Sequence, residues 1–575
     1  SSAASDVYKR QVLNYINKED YMFKKIFATV MVVGLIALPS FVADVSASSP
    51  KTIDVNTMSE DLSYKSSPSQ LYYPGYDGSP FYRIPALAKL SDGTMIAGVD
   101  QRNTTEADWG DIDMVIRRKL PGESEYGDPI KVLDLKEEGA NQPGFAIDMV
   151  LLPVGHGEHA GRLYMFADVF KSGGSYWASQ KGKGYINLDG EDCLALTNVN
   201  TGEKYFVHKG NIYDWNSQVT GMTFQEVDDQ PFTNIGDVYK NGQYLGNVYQ
   251  DISDLQVHQT PYIWMTYSDD NGLTWSNPVD ITPQIKDDNM YFLGTGPGRG
   301  LQLESGRLVV PMYYTTSSDG RNRFESTVMI YSDDYGKTWH RGKSPNDYGA
   351  NNSLEAKQQI ETSENQIVQL NNGNLLTFMR NRNSGNSLKY AISTDEGHSW
   401  GNTVYNVDFT STPTNNLSVV KYDRDGKEYV ILSNTKGPGR NNGFVKVLEV
   451  LEDSTVRTIG EKRINSAAYS YSSMEETNIP GRFGLMYEVY RPYQKTNDNR
   501  TSIYYTEFDF DWILDDNQIE AANYSRLEAL IAEAKSSKNR KLVNEARVLE
   551  RTIRPRNLIQ ERIDAEADRL ELLLR

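Results

Sequence analysis

Apolar positions follow three different rhythms along this chain, and each rhythm predicts a different kind of element. Near the amino terminus an apolar stretch runs from Ile26 to about Leu38 behind Lys24 and Lys25, and Pro39 and Ser40 interrupt it. That length and those flanks predict a signal peptide over residues 22–47, closing on the small residues Val45-Ser46-Ala47, rather than a transmembrane anchor. At the carboxyl end Leu527, Leu530, Ile531 and Ala534, then Leu542, Ala546 and Leu549, fall at helical spacing, with a looser version at Leu558, Ile563, Leu570 and Leu574 after Pro555. A small helical appendage is therefore expected over residues 516–575, as a spacer or interaction module. The segment between these ends lacks the helical rhythm and is punctuated by turn residues, which predicts β-structure.

Within that middle segment three stretches nearly repeat one another: Ser268-Asp-Asp270-Asn-Gly272-Leu-Thr274-Trp275, Ser332-Asp-Asp334-Tyr-Gly336-Lys-Thr338-Trp339 and Ser393-Thr-Asp395-Glu-Gly397-His-Ser399-Trp400, at intervals of 64 and 61 residues. Asp and Ser side chains bond backbone groups of their own turn, and Gly supplies a backbone angle that other residues resist. Each copy predicts a tight turn between strands, with its Trp packed on the adjacent sheet. Recurrence at this interval marks a repeated structural unit rather than one site. The pattern resembles the Asp boxes of β-propellers, which lie on the outer rim of a blade. The resemblance implies an all-β fold, a six-bladed β-propeller over residues 69–515, reached through a linker over 48–68. Residues 1–21 precede Met22 and read as a non-native leader with no function assigned. A Tyr- and Gly-rich stretch of about 171–255 separates the early blades from the first good repeat and predicts an inserted β-rich subdomain. Lys119-Leu-Pro-Gly-Glu-Ser-Glu-Tyr-Gly127 is a degraded repeat that still predicts a turn.

Composition narrows the chemistry. With 575 residues, 37 Tyr, 8 Trp and 45 Gly, the chain has material for a large β-core and many tight turns. Cys193 is the one cysteine and the six His make no ligand spacing, so neither a disulfide framework nor a Cys- or His-based metal centre is expected. No phosphate-cradling glycine loop is present, and no cofactor is expected. The net charge of −18 argues against nucleic acid as a partner. The signal peptide implies a secreted or cell-surface protein, with no integral membrane partner predicted.

The chemistry-bearing residues come in short motifs: Phe81-Tyr82-Arg83-Ile84-Pro85, Ala107-Asp108-Trp109-Gly110-Asp111, Ile147-Asp148-Met149-Val150, Thr362-Ser-Glu364, Phe378-Met-Arg380 and Gly437-Pro-Gly-Arg440. Tyr-Arg-Ile-Pro followed downstream by Asp boxes resembles the paired signature of sialidases. Over residues 69–515 the chain resembles the secreted and surface sialidases of Gram-positive bacteria. The resemblance implies an exo-α-sialidase that cleaves terminal sialic acid from glycoproteins or glycolipids by retaining double displacement.

The demands of that reaction fit these residue types. Sialic acid carries a carboxylate on its anomeric carbon, and a guanidinium matches a planar carboxylate bidentately without losing its proton. By resemblance Arg83, Arg380 and Arg440 bind it. They are separated by 297 and 60 positions, so only a fold that converges its strands on one axis could gather them. The substrate's own charge would repel an anionic nucleophile, and sialidases use a neutral tyrosine instead. A phenol with a reference pKa of about 10 needs a neighbouring base. The resemblance assigns Glu364 as base, Tyr471 as nucleophile and Asp108 as general acid. Arg102 and Asp148 are expected to contact ring substituents, and Tyr313 to line the pocket or join the core. Asp111 and Asp113 are expected to cap turns or to pair with Arg117 or Arg118.

Three alternatives stay open. Tyr469 competes with Tyr471, because strand alternation would put both on one face; the family pattern of Tyr, small residue, Ser, apolar residue favours Tyr471-Ser-Ser-Met474. The product is expected to be free sialic acid, against an intramolecular trans-sialidase reaction releasing the 2,7-anhydro sugar, for which Tyr493 is the nearest candidate for an aromatic on the aglycone side. A catalytically silent sialic acid-binding propeller is the third, although Asp108, Glu364 and Tyr471 are all retained.

Overall fold

A computed structural model of the chain describes residues 64–514, apart from 138–141, 317–323, 347–360, 383–386, 402–403, 409, 438 and 491–499. The expected leader, signal peptide and helical tail lie outside the described residues, except for isolated positions in the tail. Six sheets, antiparallel except where Gly298–Arg299 pairs with Phe145–Pro153, form the blades of a propeller. The first blade is Phe81–Lys89, Met95–Arg102, Ile112–Lys119 and Ile130–Leu133; the second is built on Phe145–Pro153, Leu163–Phe170, Tyr262–Ser268 and Val279–Asp280. The third is built on Phe292–Thr295, Leu308–Thr315, Glu325–Ser332 and His340–Arg341; the fourth runs Thr362–Gln369, Leu375–Asn381, Lys389–Ser393 and Tyr405–Asn406; the fifth runs Ser418–Arg424, Lys427–Thr435, Asn441–Val450 and Val456–Ala468. The sixth takes Ser472–Glu476, Arg482–Val489 and Ser502–Asp509 from the end of the segment and Ser69–Tyr72 from its start, which closes the ring.

Alternation explains how the blades stack. Successive strand residues point to opposite faces, and each blade is covered on both faces by its neighbours. Val419 packs with the fourth-blade residues Leu376 and Phe378, while the next residue, Val420, packs with the sixth-blade residues Phe483 and Leu485. Val309 and Val310 divide in the same way between the fourth and second blades. The ring closes where Leu87 and Val99 of the first blade meet Met486 and Ile503 of the sixth. Strands buried on both faces read as near-continuous apolar runs, which is why their periodicity is weak in the sequence.

The three repeated turns join the third strand of a blade to its fourth. In the first, Ser268 Oγ donates to Asp270 Oδ1 at 2.8 Å and accepts the N–H of Gly272 at 2.8 Å. Asp270 also takes the N–H and hydroxyl of Thr274 at 2.8 and 2.6 Å. Gly272 has φ +82° and Trp275 is 7% exposed, its indole N–H bonded to the Gly272 carbonyl at 3.2 Å. The turns at Asp334 and Asp395 repeat the Asp and Ser bonds. In the degraded repeat Arg117 donates instead to the carbonyls of Leu71, Tyr126 and Gly127. Asp113 pairs with Lys131 at 2.8 Å, not with Arg117 or Arg118 as expected, because the neighbouring strand Ile130–Leu133 brings the lysine across while Arg117 is spent on carbonyls.

Between Leu163–Phe170 and Tyr262–Ser268 an eight-stranded sheet is inserted, from Tyr185–Leu188 to Leu255–Val257. Its apolar face, including Leu196, Val207, Ile212 and Val238, joins the core shared by the first two blades.

Candidate active site

Antiparallel order brings the start of each innermost strand and the end of each second strand to the same end of the propeller. The residues singled out by sequence collect there. Three innermost strands carry a break in register at this end, between Arg83 and Ala86, Ile147 and Val150, and Thr362 and Asn365. A bulge takes a side chain out of strict alternation, and two of these place non-glycine residues at positive φ, Ile84 at 55° and Asp148 at 63°. Arg83, Asp148 and Glu364 are aimed by these bulges into a cavity of about 180 Å³, whose wall also holds Asp108, Tyr313, Arg380, Arg440 and Tyr471.

Tyr471 stands at its centre. Its hydroxyl donates to Glu364 Oε1 at 2.5 Å and accepts from an Arg380 terminal nitrogen at 2.7 Å. The same Arg380 nitrogen meets Glu364 Oε1 at 2.5 Å. The guanidinium carbons of Arg440, Arg83 and Arg380 lie 5.3, 5.5 and 6.0 Å from the centre of the Tyr471 ring. Burial pushes the Tyr471 phenol above its ordinary value, more than Arg380 and Arg440 pull it down. Glu364 Oε2 and Arg380 Nε have no hydrogen-bond partner among the described residues.

Tyr469 is different. It is fully buried, its ring stacks on Tyr487 at 5.1 Å and its hydroxyl bonds to Ser433. Residues 469–471 form the link between the fifth and sixth blades rather than a strand, so the expected shared face does not exist. Tyr469 N–H is held by the Arg440 carbonyl at 3.0 Å, and Glu488 N–H by the Tyr471 carbonyl at 2.9 Å.

Asp108 sits on the loop between the second and third strands of the first blade. Its carboxylate takes Arg102 at 2.9 Å and Arg83 at 3.1 Å. Enclosure by the pocket would raise its pKa, but Arg102 and Arg83 outweigh it and hold the group at about 2, although the side chain is 65% exposed. Arg102 corrects an expectation: it is fully buried and is not part of the pocket wall. Its guanidinium is consumed by Asp100 at 2.9 Å, by Asp108 and by the carbonyls of Glu106 and Ala107, so it positions Asp108 instead of facing the pocket. Asp148 does reach the wall, where burial and the nearby Asp100 and Asp168 push its pKa well up. Tyr313 both lines the pocket and packs on Phe292 at 4.9 Å. Tyr493 lies outside the described residues.

Several residues in or behind the pocket wall escaped the sequence reading. Glu488, 1% exposed, holds Arg83 at 3.2 Å and accepts the Ile84 N–H at 2.8 Å. Burial opposes its charge, but Arg83 and that N–H win and keep its pKa low. A lone acid flanked by Tyr487 and Val489 in a buried strand was the available signal. Glu325, which pairs with Arg382 at 3.1 Å and takes the Tyr176 hydroxyl at 2.8 Å, and the fully buried Asp168 belong to no motif.

A BNR repeat-like domain matches residues 242–481. An anhydrosialidase of Macrobdella decora is 27% identical over 486 residues, 73% of this chain and 59% of that protein. Sialidase B of Streptococcus pneumoniae is 25% identical, over 74% of this chain and 64% of its own length. The chain thus matches less than two thirds of the length of these relatives. Among solved structures, the intramolecular trans-sialidase of Ruminococcus gnavus aligns with a TM-score of 0.64 at 26% identity, over 77% of this chain and 98% of that one. By its repeats, its six-bladed propeller and these matches, the chain is similar to proteins named sialidases.

Proposed function

We propose that this pocket removes terminal sialic acid from sialylated glycans with retention at the anomeric carbon. The observation that carries the reading is the Tyr471 hydroxyl on Glu364 Oε1 at 2.5 Å inside a ring of three arginines. The substrate carboxylate binds Arg83, Arg380 and Arg440. Glu364 takes the phenol proton as the Tyr471 oxygen attacks the anomeric carbon. Asp108 protonates the departing oxygen and then takes a proton from the incoming hydroxyl. In the free protein Asp108 is ionised and shares Arg83; when the substrate carboxylate engages Arg83, Asp108 loses part of its stabilising charge and its proton affinity rises. A 3-fluorinated sialosyl fluoride, whose glycosyl-enzyme breaks down slowly, tests this: intact mass should show one added sugar on the peptide containing Tyr471. An adduct elsewhere, or none under turnover conditions, contradicts it.

A second reading concerns the product. The relatives named anhydrosialidase and intramolecular trans-sialidase favour attack by the substrate's own O7 on the anomeric carbon, which gives the 2,7-anhydro sugar in place of hydrolysis. A product one water lighter than free sialic acid, with the bridged ring seen by NMR, decides for it. The extracellular location remains part of the proposal and rests on residues 22–47; a mature chain starting near Ser48 after export checks it.

A further inference from the structure

A second cavity, of about 410 Å³, lies where the inserted sheet meets the outer strands of the second blade. Its floor is apolar: Leu194, Val207 and Ile235 from the insertion, Tyr249 from the return towards the blade and Trp264 from the blade itself, all buried. The Tyr249 and Trp264 rings meet edge to face at 5.4 Å. The rim is polar. Glu191 is bonded to His208 at 2.6 Å and Lys209 at 3.1 Å; Asp280 takes the Tyr185 hydroxyl at 2.6 Å and the Thr282 N–H at 2.9 Å. Glu226 receives the Gly210 N–H at 3.0 Å on Oε1.

The size falls within the range of roughly 300–1,000 Å³ usual for small-molecule sites, which pair apolar floors with a few oriented polar groups. Aromatic and aliphatic surface suits the C–H face of a pyranose ring, and carboxylates at the rim accept hydroxyl protons. Charge selects among sugars. An anionic sugar would meet Glu191, Asp192 and Glu226 against Lys209, whose positive charge Glu191 already engages. We propose that this cavity is a second carbohydrate site, separate from the Tyr471 pocket, that takes an uncharged hexose or N-acetylhexosamine unit. The assignment does not rest on what the propeller cleaves.

Saturation-transfer NMR and calorimetry of the whole chain with N-acetyllactosamine test it, beside Glu226→Gln and the cavity-filling Val207→Trp, with free sialic acid as the charged probe. The expected result is saturable binding of the neutral sugar, weakened about tenfold by Glu226→Gln, as loss of a charge-assisted hydrogen bond implies, with turnover of a small aryl sialoside unchanged. If Val207→Trp unfolds, Glu226→Gln alone decides. Absence of saturable binding, binding indifferent to Glu226→Gln, or equal affinity for sialic acid would each overturn the proposal. Turnover is read separately, so an inactive propeller that still binds the neutral sugar leaves it standing.

Discussion

The outer turns of this propeller and the inner ends of its strands obey opposite rules. At each outer turn an Asp, a Ser and a Gly satisfy one another within eight residues, and the same bonds recur three times with nearly the same lengths. At the inner end the blades contribute different sets of side chains, bulges break the register of three strands, and polar atoms of Glu364, Arg380 and Asp168 have no partner among the described residues. Local, redundant bonding makes a blade. Chemistry sits where the blades differ, and it is held by partners far away in sequence, as Glu488 holds Arg83 across 405 positions.

If that contrast is correct, substitutions at the two ends should separate activity from stability. A large effect is expected from Asp108→Asn, which should lower kcat roughly 10²–10⁴-fold on sialyllactose while an aryl sialoside, whose phenolate leaves unaided, loses far less. Equal losses on both substrates would remove Asp108 from the acid role. Arg102→Met should cost about 3–5 kcal/mol in a denaturation series, because it strands the buried Asp100 carboxylate; a near-neutral result would show that Asp100 is protonated in the native chain. Asp270→Ala at an outer turn should cost about 2 kcal/mol and leave kcat within error, since it removes four hydrogen bonds of a turn that faces away from the pocket. A matching loss of kcat would break the comparison.

The smallest effect is a slope with pH. Asp108 is held at about 2 when folded against about 4 when unfolded, so the folded protein binds fewer protons there. Its contribution to stability is complete above about pH 4 and is lost as pH falls towards 2. Wild type should therefore lose slightly more stability than Asp108→Asn across that interval, and parallel curves would show that solvent screens the Arg83 and Arg102 contacts.

Legibility in the sequence follows the same division. The repeated turns are written in contiguous residues, so the blades could be read from Asp270, Asp334 and Asp395 alone. Arg83, Arg380, Arg440, Glu364, Tyr471, Asp108, Asp148 and Tyr313 were legible through motifs, and one cavity gathers them. Arg102 shows the limit: its motif position is compatible with either facing the sugar or facing Asp100, and only burial separates the two. The Tyr469 and Tyr471 pair shows another, since alternation applies within a strand and the chain between Val456–Ala468 and Ser472–Glu476 is not one. Glu325 and Arg382 were out of reach because each is defined by a partner distant in sequence, whereas Glu488 offered a signal, an acid between Tyr487 and Val489, but not its partner Arg83, 405 positions away.

The most direct test sets Tyr471→Phe beside Tyr469→Phe and follows release of sugar from α2,3-sialyllactose, with circular dichroism confirming both folds. Tyr471→Phe should lose roughly 10³-fold or more in kcat, because it deletes the oxygen proposed to attack, whereas Tyr469→Phe, which loses one buried hydrogen bond to Ser433, should remain active. Full turnover by folded Tyr471→Phe, or loss confined to Tyr469→Phe, would contradict the account.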